Sequence, residues 1–246
     1  MSAWAEFTTR LSDVDPQTLR WAFWSAVILS LVVARLPSGR TVLYPLSLLA
    51  TWAHELGHGV TAVLAGGSFY RLEVERDLGG RATYGGVGPL GRAAVAAGGL
   101  LAPAVAGGAI IVLGANEASA PWVLVGVIGA VAASLLLVVR NGFGWVALGL
   151  VGLSLMIVAA YAPPVIRIFV AQLIGIQFCL ASWGSVDYMF SKHVPLGGGR
   201  RMDSDTQTIA RALWFPYWFW GGLIAALSLA IVAGAYSLAW IRPLEL

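Results

Sequence analysis

Charge and cysteine are scarce in this sequence, and each shortage excludes a class of protein. Only 11% of the 246 residues are charged, while 59% are hydrophobic, which excludes an ordinary soluble domain. Cys179 is the one cysteine, so a disulfide within the chain and a cysteine-based zinc site are both excluded. The net charge of +3 comes mostly from arginines that flank apolar runs, so we expect no nucleic-acid binding.

Long apolar runs dominate what is present. About 20 apolar residues are enough to cross a bilayer, and charged residues, Pro or Gly separate seven such runs. We therefore predict an all-α, polytopic protein of the lipid bilayer, with one membrane domain over residues 21–246 and a surface segment over residues 1–20. The predicted spans are residues 21–36, 42–65, 93–115, 121–139, 144–161, 165–190 and 214–240.

The distribution of lysine and arginine predicts the orientation of the chain. Seven spans place the two termini on opposite faces of the membrane. Eleven of the fifteen lysines and arginines then fall on the N-terminal side. Because cytoplasmic loops carry the excess of these residues, we predict a cytoplasmic N-terminus.

An alternating stretch follows the second span. Residues 70–75 alternate between apolar and charged side chains, and Asp77 to Gly80 supply a turn, a pattern typical of a β-hairpin. We predict a small cytoplasmic hairpin whose edge accepts an extended substrate strand. Its candidate substrate-binding residues are Tyr70, Leu72 and Val74. A ribbon that only closes the cytoplasmic mouth fits the pattern equally well.

The second span contains an HExxH motif, formed by His54, Glu55 and His58. Residues four apart share a helix face, so both imidazoles can bind one Zn²⁺ while Glu55 acts as the catalytic base. Such polar residues inside a spanning helix are costly without partners, which makes a functional site the default hypothesis. The competing interpretation is a polar helix interface without metal.

A third zinc ligand is needed, because catalytic zinc usually has three protein ligands and one position for water. Asp187 near the end of the sixth span has no obvious local partner, and we favour it. Asp205 is the alternative, although Ser204 and Gln207 predict a capping box in which Asp205 is only a first-turn acid. His193, in a Gly-rich loop, is expected to be solvated.

At these positions the chain resembles the site-2 protease family of intramembrane zinc metallopeptidases, in its branch from bacteria and plants. Better-known members take their third ligand from an Asp-Gly pair, which this sequence lacks, so Asp187 and Asp205 both remain candidates. The resemblance rests on residues 54–58, Gly66-Gly67, Gly79-Gly80, residues 140–144, residues 185–187 and Ser204-Asp205.

The resemblance implies hydrolysis of a peptide bond in or near a membrane-spanning segment of a protein or peptide substrate. It also implies a bacterial inner membrane location. Asn141 is then a candidate to bind the substrate or the oxyanion, although an Asn at such a turn is more often a helix cap. A non-catalytic scaffold within a larger membrane complex is the main alternative. A transporter fits less well, since transport does not require the glutamate of HExxH.

Overall fold

The computed structural model describes residues 15–116, 119–184, 186–196 and 200–241. Most of the predicted surface segment, residues 1–14, lies outside this range. The first helix begins at Pro16, earlier than predicted, because the Asp15 carboxylate accepts a hydrogen bond from the Thr18 amide at 3.0 Å and caps it. The helices are α1 Pro16–Arg35, α2 Gly39–Val42, α3 Tyr44–Leu64, α4 Pro89–Gly114, α5 Ala120–Leu137, α6 Gly142–Tyr161, α7 Pro164–Gly184, α8 Val186–Met189, α9 Asp205–Ala212 and α10 Tyr217–Tyr236, followed by a π-helical turn, Ser237–Ile241.

The long helices confirm an integral membrane protein. Six helices within the described ranges are long and apolar enough to cross a bilayer. The helix α3, which carries the HExxH motif, has 21 residues and is also long enough to span. The prediction of about seven spans is therefore confirmed. The six are α1, α4, α5, α6, α7 together with α8, and α10 with its π-helical turn.

The helix α4 lies at the centre of the bundle and packs against α3, α7, α9 and α10. Its contact with α3 depends on glycine. A Cβ atom on Gly57 would lie 2.3 Å from Cβ of Ala102 and 2.7 Å from the carbonyl oxygen of Gly98. Small residues permit such close approach between membrane helices, and here they bring α4 against the HExxH helix.

The predicted β-hairpin is present and lies along α3. Strands β1 Ser68–Val74 and β2 Gly80–Gly85 pair antiparallel, with a bulge at Tyr70. At one end the Phe69 ring packs where Gly59 lacks a side chain. At the other end the Tyr44 hydroxyl donates to the Arg76 carbonyl at 2.9 Å. Gly59 and Tyr44 are about 22 Å apart at ~1.5 Å per helical residue, so the hairpin follows the helix over most of its length.

A second hairpin connects α8 to α9 and was not predicted. Its strands are β3 His193–Leu196 and β4 Arg200–Asp203, with His193 paired to Asp203. The His193 side chain is partly exposed and its Nδ1 lies 3.2 Å from Oδ1 of Asp203. The Ser204 amide donates to the Lys192 carbonyl at 3.2 Å, which closes the loop. As a result α9 starts beside the end of α8.

Candidate metal centre and active site

The two histidines of HExxH converge at one point. They lie one helical turn apart on α3, and their rings are perpendicular with centroids 4.6 Å apart. Nε2 of His58 lies 3.1 Å from Nε2 of His54. The predicted pairing of these imidazoles on one helix face is therefore seen.

The ring of His58 packs against one face of α4. Its Nδ1 lies 2.9 Å from the Val95 carbonyl oxygen, and because a carbonyl only accepts, Nδ1 carries the proton. Nε2 of the neutral ring is then left as a ligand atom. On the same helix, a Cβ atom on Gly99 would lie 2.1 Å from Cε1 of His58. The glycine leaves the space that the ring occupies.

The third member of the cluster is Asp205. Its Oδ2 lies 3.4 Å from Nε2 of His54 and 3.5 Å from Nε2 of His58, and these three residues form a group that could hold a metal ion. Asp187 is outside the group. It is exposed on the short helix α8, and its carbonyl accepts from the Ser191 hydroxyl at 2.7 Å. We favoured Asp187, but the structure brings Asp205 beside the histidines. Asp205 reaches them because the β3–β4 hairpin returns the chain toward α3.

The start of α9 fixes the position of Asp205. Ser204 is the N-cap, as predicted, and its Oγ accepts from the Gln207 amide at 3.2 Å. The Ser204 hydroxyl donates in turn to the Ser191 carbonyl at 2.6 Å. The carboxylate of Asp205 therefore faces the two imidazoles.

The separations within this group fit a zinc ion. Two atoms that each lie about 2.0–2.1 Å from zinc at a tetrahedral angle are about 3.3–3.4 Å apart. The three ligand atoms here are 3.1, 3.4 and 3.5 Å apart. Two imidazoles and one carboxylate also form a donor set found at catalytic zinc. His54, His58 and Asp205 thus fit the metal in both spacing and chemistry.

Glu55 lies between α3 and strand β2. Its side chain is buried, with 7% of its surface exposed. A Cβ atom on Gly80 would lie 2.5 Å from Cγ and 2.6 Å from Oε1 of Glu55, so only glycine at position 80 leaves room for this carboxylate. The backbone amide of Ala82 also approaches the Glu55 carboxylate.

The edge of β1 is occupied by protein. The Leu72 amide donates to the Val138 carbonyl at 2.8 Å, and the Arg140 amide donates to the Leu72 carbonyl at 3.1 Å. Leu72 and Val74 are fully buried. Their predicted role in binding a substrate is therefore not supported by their positions, because the alternation that we interpreted as an open edge reflects packing into the core. Tyr70 is 59% exposed.

Asn141 extends this pairing through its side chain. Its Nδ2 donates to the Val74 carbonyl at 2.7 Å, and its Oδ1 accepts from the Val74 amide at 3.3 Å. A single carboxamide thus satisfies both backbone groups of one strand residue. Asn141 also precedes α6, although its side chain does not cap that helix. The amide predicted to contact the substrate instead binds the hairpin.

The sequence was compared with models of protein families, with curated proteins and with solved structures. A family model described as Peptidase M50B-like matches residues 24–235. The chain belongs to the M50B-like branch of the site-2 protease family. No curated protein and no solved structure matches it. The matched range includes the HExxH helix, the β1–β2 hairpin and Asp205.

Several residues that shape the site were not predicted from the sequence. Val95 acts through its carbonyl, which no side-chain pattern reveals. Gly80 was predicted only as a turn residue and Gly99 was not predicted, because their contacts with Glu55 and His58 depend on the fold. Tyr188, whose hydroxyl donates to Oδ2 of Asp205 at 3.0 Å, directly follows Asp187.

Proposed function

We propose that this protein is an intramembrane zinc endopeptidase that hydrolyses a peptide bond in or near a membrane-spanning segment of its substrate. The observation that carries the proposal is the convergence of Nε2 of His54, Nε2 of His58 and Oδ2 of Asp205 beside the buried carboxylate of Glu55. An uncompensated cluster of this kind is costly in a membrane protein. A bound metal and a catalytic role would account for this cluster.

Each residue has a defined part in this reaction. His54, His58 and Asp205 would hold the zinc, which when bound would polarise the substrate carbonyl and activate water. Glu55 accepts a proton from the attacking water on its carboxylate and later delivers it to the nitrogen of the leaving amine. Nδ1–H of His58 stays hydrogen-bonded to the Val95 carbonyl, which leaves Nε2 unprotonated and able to act as a ligand.

The outer edge of β2 is our candidate for substrate binding. The Glu75 amide donates to the Gly79 carbonyl at 2.8 Å, and in an antiparallel ladder the direction of the backbone groups alternates along a strand. Gly80 and Ala82 therefore direct their backbone groups away from β1, toward the side where the Ala82 amide approaches Glu55. An extended substrate strand added at this edge would pass the catalytic base.

The surroundings of the hairpin support access of water to the site. Backbone that is not helical is tolerated within a membrane only where protein buries it or a water-filled cavity adjoins it. The hairpin lies along α3, yet Arg71, Asp77 and Arg81 on it are exposed. Exposed charges at such positions require water. We therefore propose a polar cavity beside β2 that supplies the hydrolytic water.

The cellular setting is also part of the proposal. The excess of arginine and lysine on the N-terminal side supports a cytoplasmic N-terminus. We place the protein in the inner membrane of a bacterium, with membrane proteins as substrates. Partner proteins in a larger membrane complex fit this setting.

Cleavage of labelled single-span peptides in detergent micelles tests the proposal. The wild-type protein is expected to cut some members of such a set and to lose this activity when a zinc chelator is added. Glu55→Gln should keep zinc while its cleavage rate falls by about 10²–10⁴-fold, the usual contribution of a general base. A wild type that holds zinc but cleaves no member of the set would instead favour the non-catalytic scaffold.

A further inference from the structure

Tyr188 contacts the metal-binding carboxylate directly. Its hydroxyl donates to Oδ2 of Asp205 at 3.0 Å, and the same hydroxyl oxygen accepts from the Asp205 backbone amide at 3.2 Å. Oδ2 is also the oxygen that faces both histidines. The phenol therefore binds both the ligand oxygen and the backbone of the residue that carries it.

The two contacts of Tyr188 affect where the Asp205 carboxylate turns at the start of α9. The first amides of a helix lack partners within the helix, and a first-turn aspartate is attracted to them. Asp205 is the first residue of α9, after the N-cap Ser204. Because the Tyr188 hydroxyl satisfies the Asp205 amide, the carboxylate is free to turn away from its own helix and toward His54 and His58.

The position of Tyr188 is itself fixed by neighbouring hydrogen bonds. The helix α8 and the start of α9 are joined on both sides of this contact. The Ser204 hydroxyl donates to the Ser191 carbonyl at 2.6 Å, and the Thr206 hydroxyl donates to the Met189 carbonyl at 2.8 Å. Met189, next to Tyr188, is fully buried. Two separate hydrogen bonds thus hold the backbone of α8 beside the start of α9, so loss of one leaves the other in place.

We infer that Tyr188 is a positioning residue of the metal centre, which orients Oδ2 of Asp205 toward the zinc. The inference rests on the proposed zinc site. Loss of a hydrogen bond that a neighbouring group makes to a metal ligand typically lowers metal affinity by about 10–100-fold. Tyr188→Phe, which removes only the hydroxyl, is therefore expected to raise the zinc Kd by about 10–100-fold.

The test measures zinc affinity by competition with a chromogenic chelator, together with the visible spectrum of the Co²⁺-substituted protein. Thr206→Val is the matched control, because it removes a hydrogen bond of the same junction without touching the carboxylate. We expect Tyr188→Phe to weaken zinc binding and to alter the Co²⁺ spectrum. Thr206→Val should lower the thermal stability of the apoprotein and leave both metal readouts close to wild type.

Two results would overturn the inference. Tyr188→Phe could bind zinc as tightly as wild type with an unchanged Co²⁺ spectrum, or Thr206→Val could weaken zinc binding to the same extent. In either case the wild type still binds zinc, so the proposed function stands. Absence of zinc binding by the wild type would reject the proposed function and this inference together.

Discussion

Gly99 and His58 are in direct contact across the interface between α4 and α3. The imidazole occupies the place where a side chain at position 99 would begin, and a Cβ atom there would lie 2.1 Å from Cε1 and 2.3 Å from Nε2 of the ring. Four residues earlier on α4, the Val95 carbonyl binds Nδ1 of the same ring. One face of α4 thus sets both the position and the tautomer of a metal ligand.

Gly99→Ala should weaken zinc binding by at least about tenfold, because the ring of a ligand must shift to admit the methyl group. Zinc affinity measured by chelator competition checks this expectation. Gly129→Ala is the matched control, since Gly129 also lies within a spanning helix but has open space where its Cβ would be. Equal affinities for the two variants would mean that Gly99 does not support His58.

Gly80→Ala should reduce catalysis without removing the metal. The added methyl group would meet Cγ and Oε1 of Glu55, and displacement of a catalytic group by about 1 Å can cost about 10²-fold in rate. Cleavage rate and zinc content are measured on the same preparation. Gly79→Ala is the control, because its Cβ would meet only the end of the Asp77 side chain. Full activity in Gly80→Ala would refute the placement of Glu55 against β2.

Asn141→Leu should destabilise the protein rather than affect substrate binding alone. Loss of the carboxamide leaves the amide and carbonyl of Val74 without their partners, at a cost of about 1–3 kcal/mol each. Thermal unfolding in detergent should show a lower midpoint, while zinc content is retained. Ser154→Ala, on α6, which begins just after Asn141, removes an exposed hydrogen bond and should change little. An unchanged midpoint with a raised KM would restore Asn141 as a substrate contact.

Local sequence patterns predicted the parts of the site that depend on helix geometry. The spacing of His54 and His58 places both rings on one face of α3 wherever that helix packs. Ser204 was predicted to cap α9, and it does. These features follow from residues within a few positions of one another, where the periodicity of the backbone fixes the outcome.

The third ligand could not be predicted in the same way, because it depends on the path of the chain between residues 190 and 204. Asp187 lies near the end of the sixth predicted span and Asp205 in the polar segment before the last one. The residues between them have no hydrophobic periodicity to reveal the β3–β4 hairpin. The edge of β1 was misjudged for a similar reason. Its partners, Val138, Arg140 and Asn141, are far away in sequence, and no local signal shows that they cover it.

Zinc content of the purified protein tests the central claim most directly, with wild type compared with Asp205→Asn and Asp187→Asn. We predict about one zinc per chain in the wild type and in Asp187→Asn, where the changed side chain is exposed. Asp205→Asn should lose the metal, because Oδ2 of Asp205 completes the group with His54 and His58. A wild type without zinc, or zinc retained in Asp205→Asn but lost in Asp187→Asn, would contradict this account.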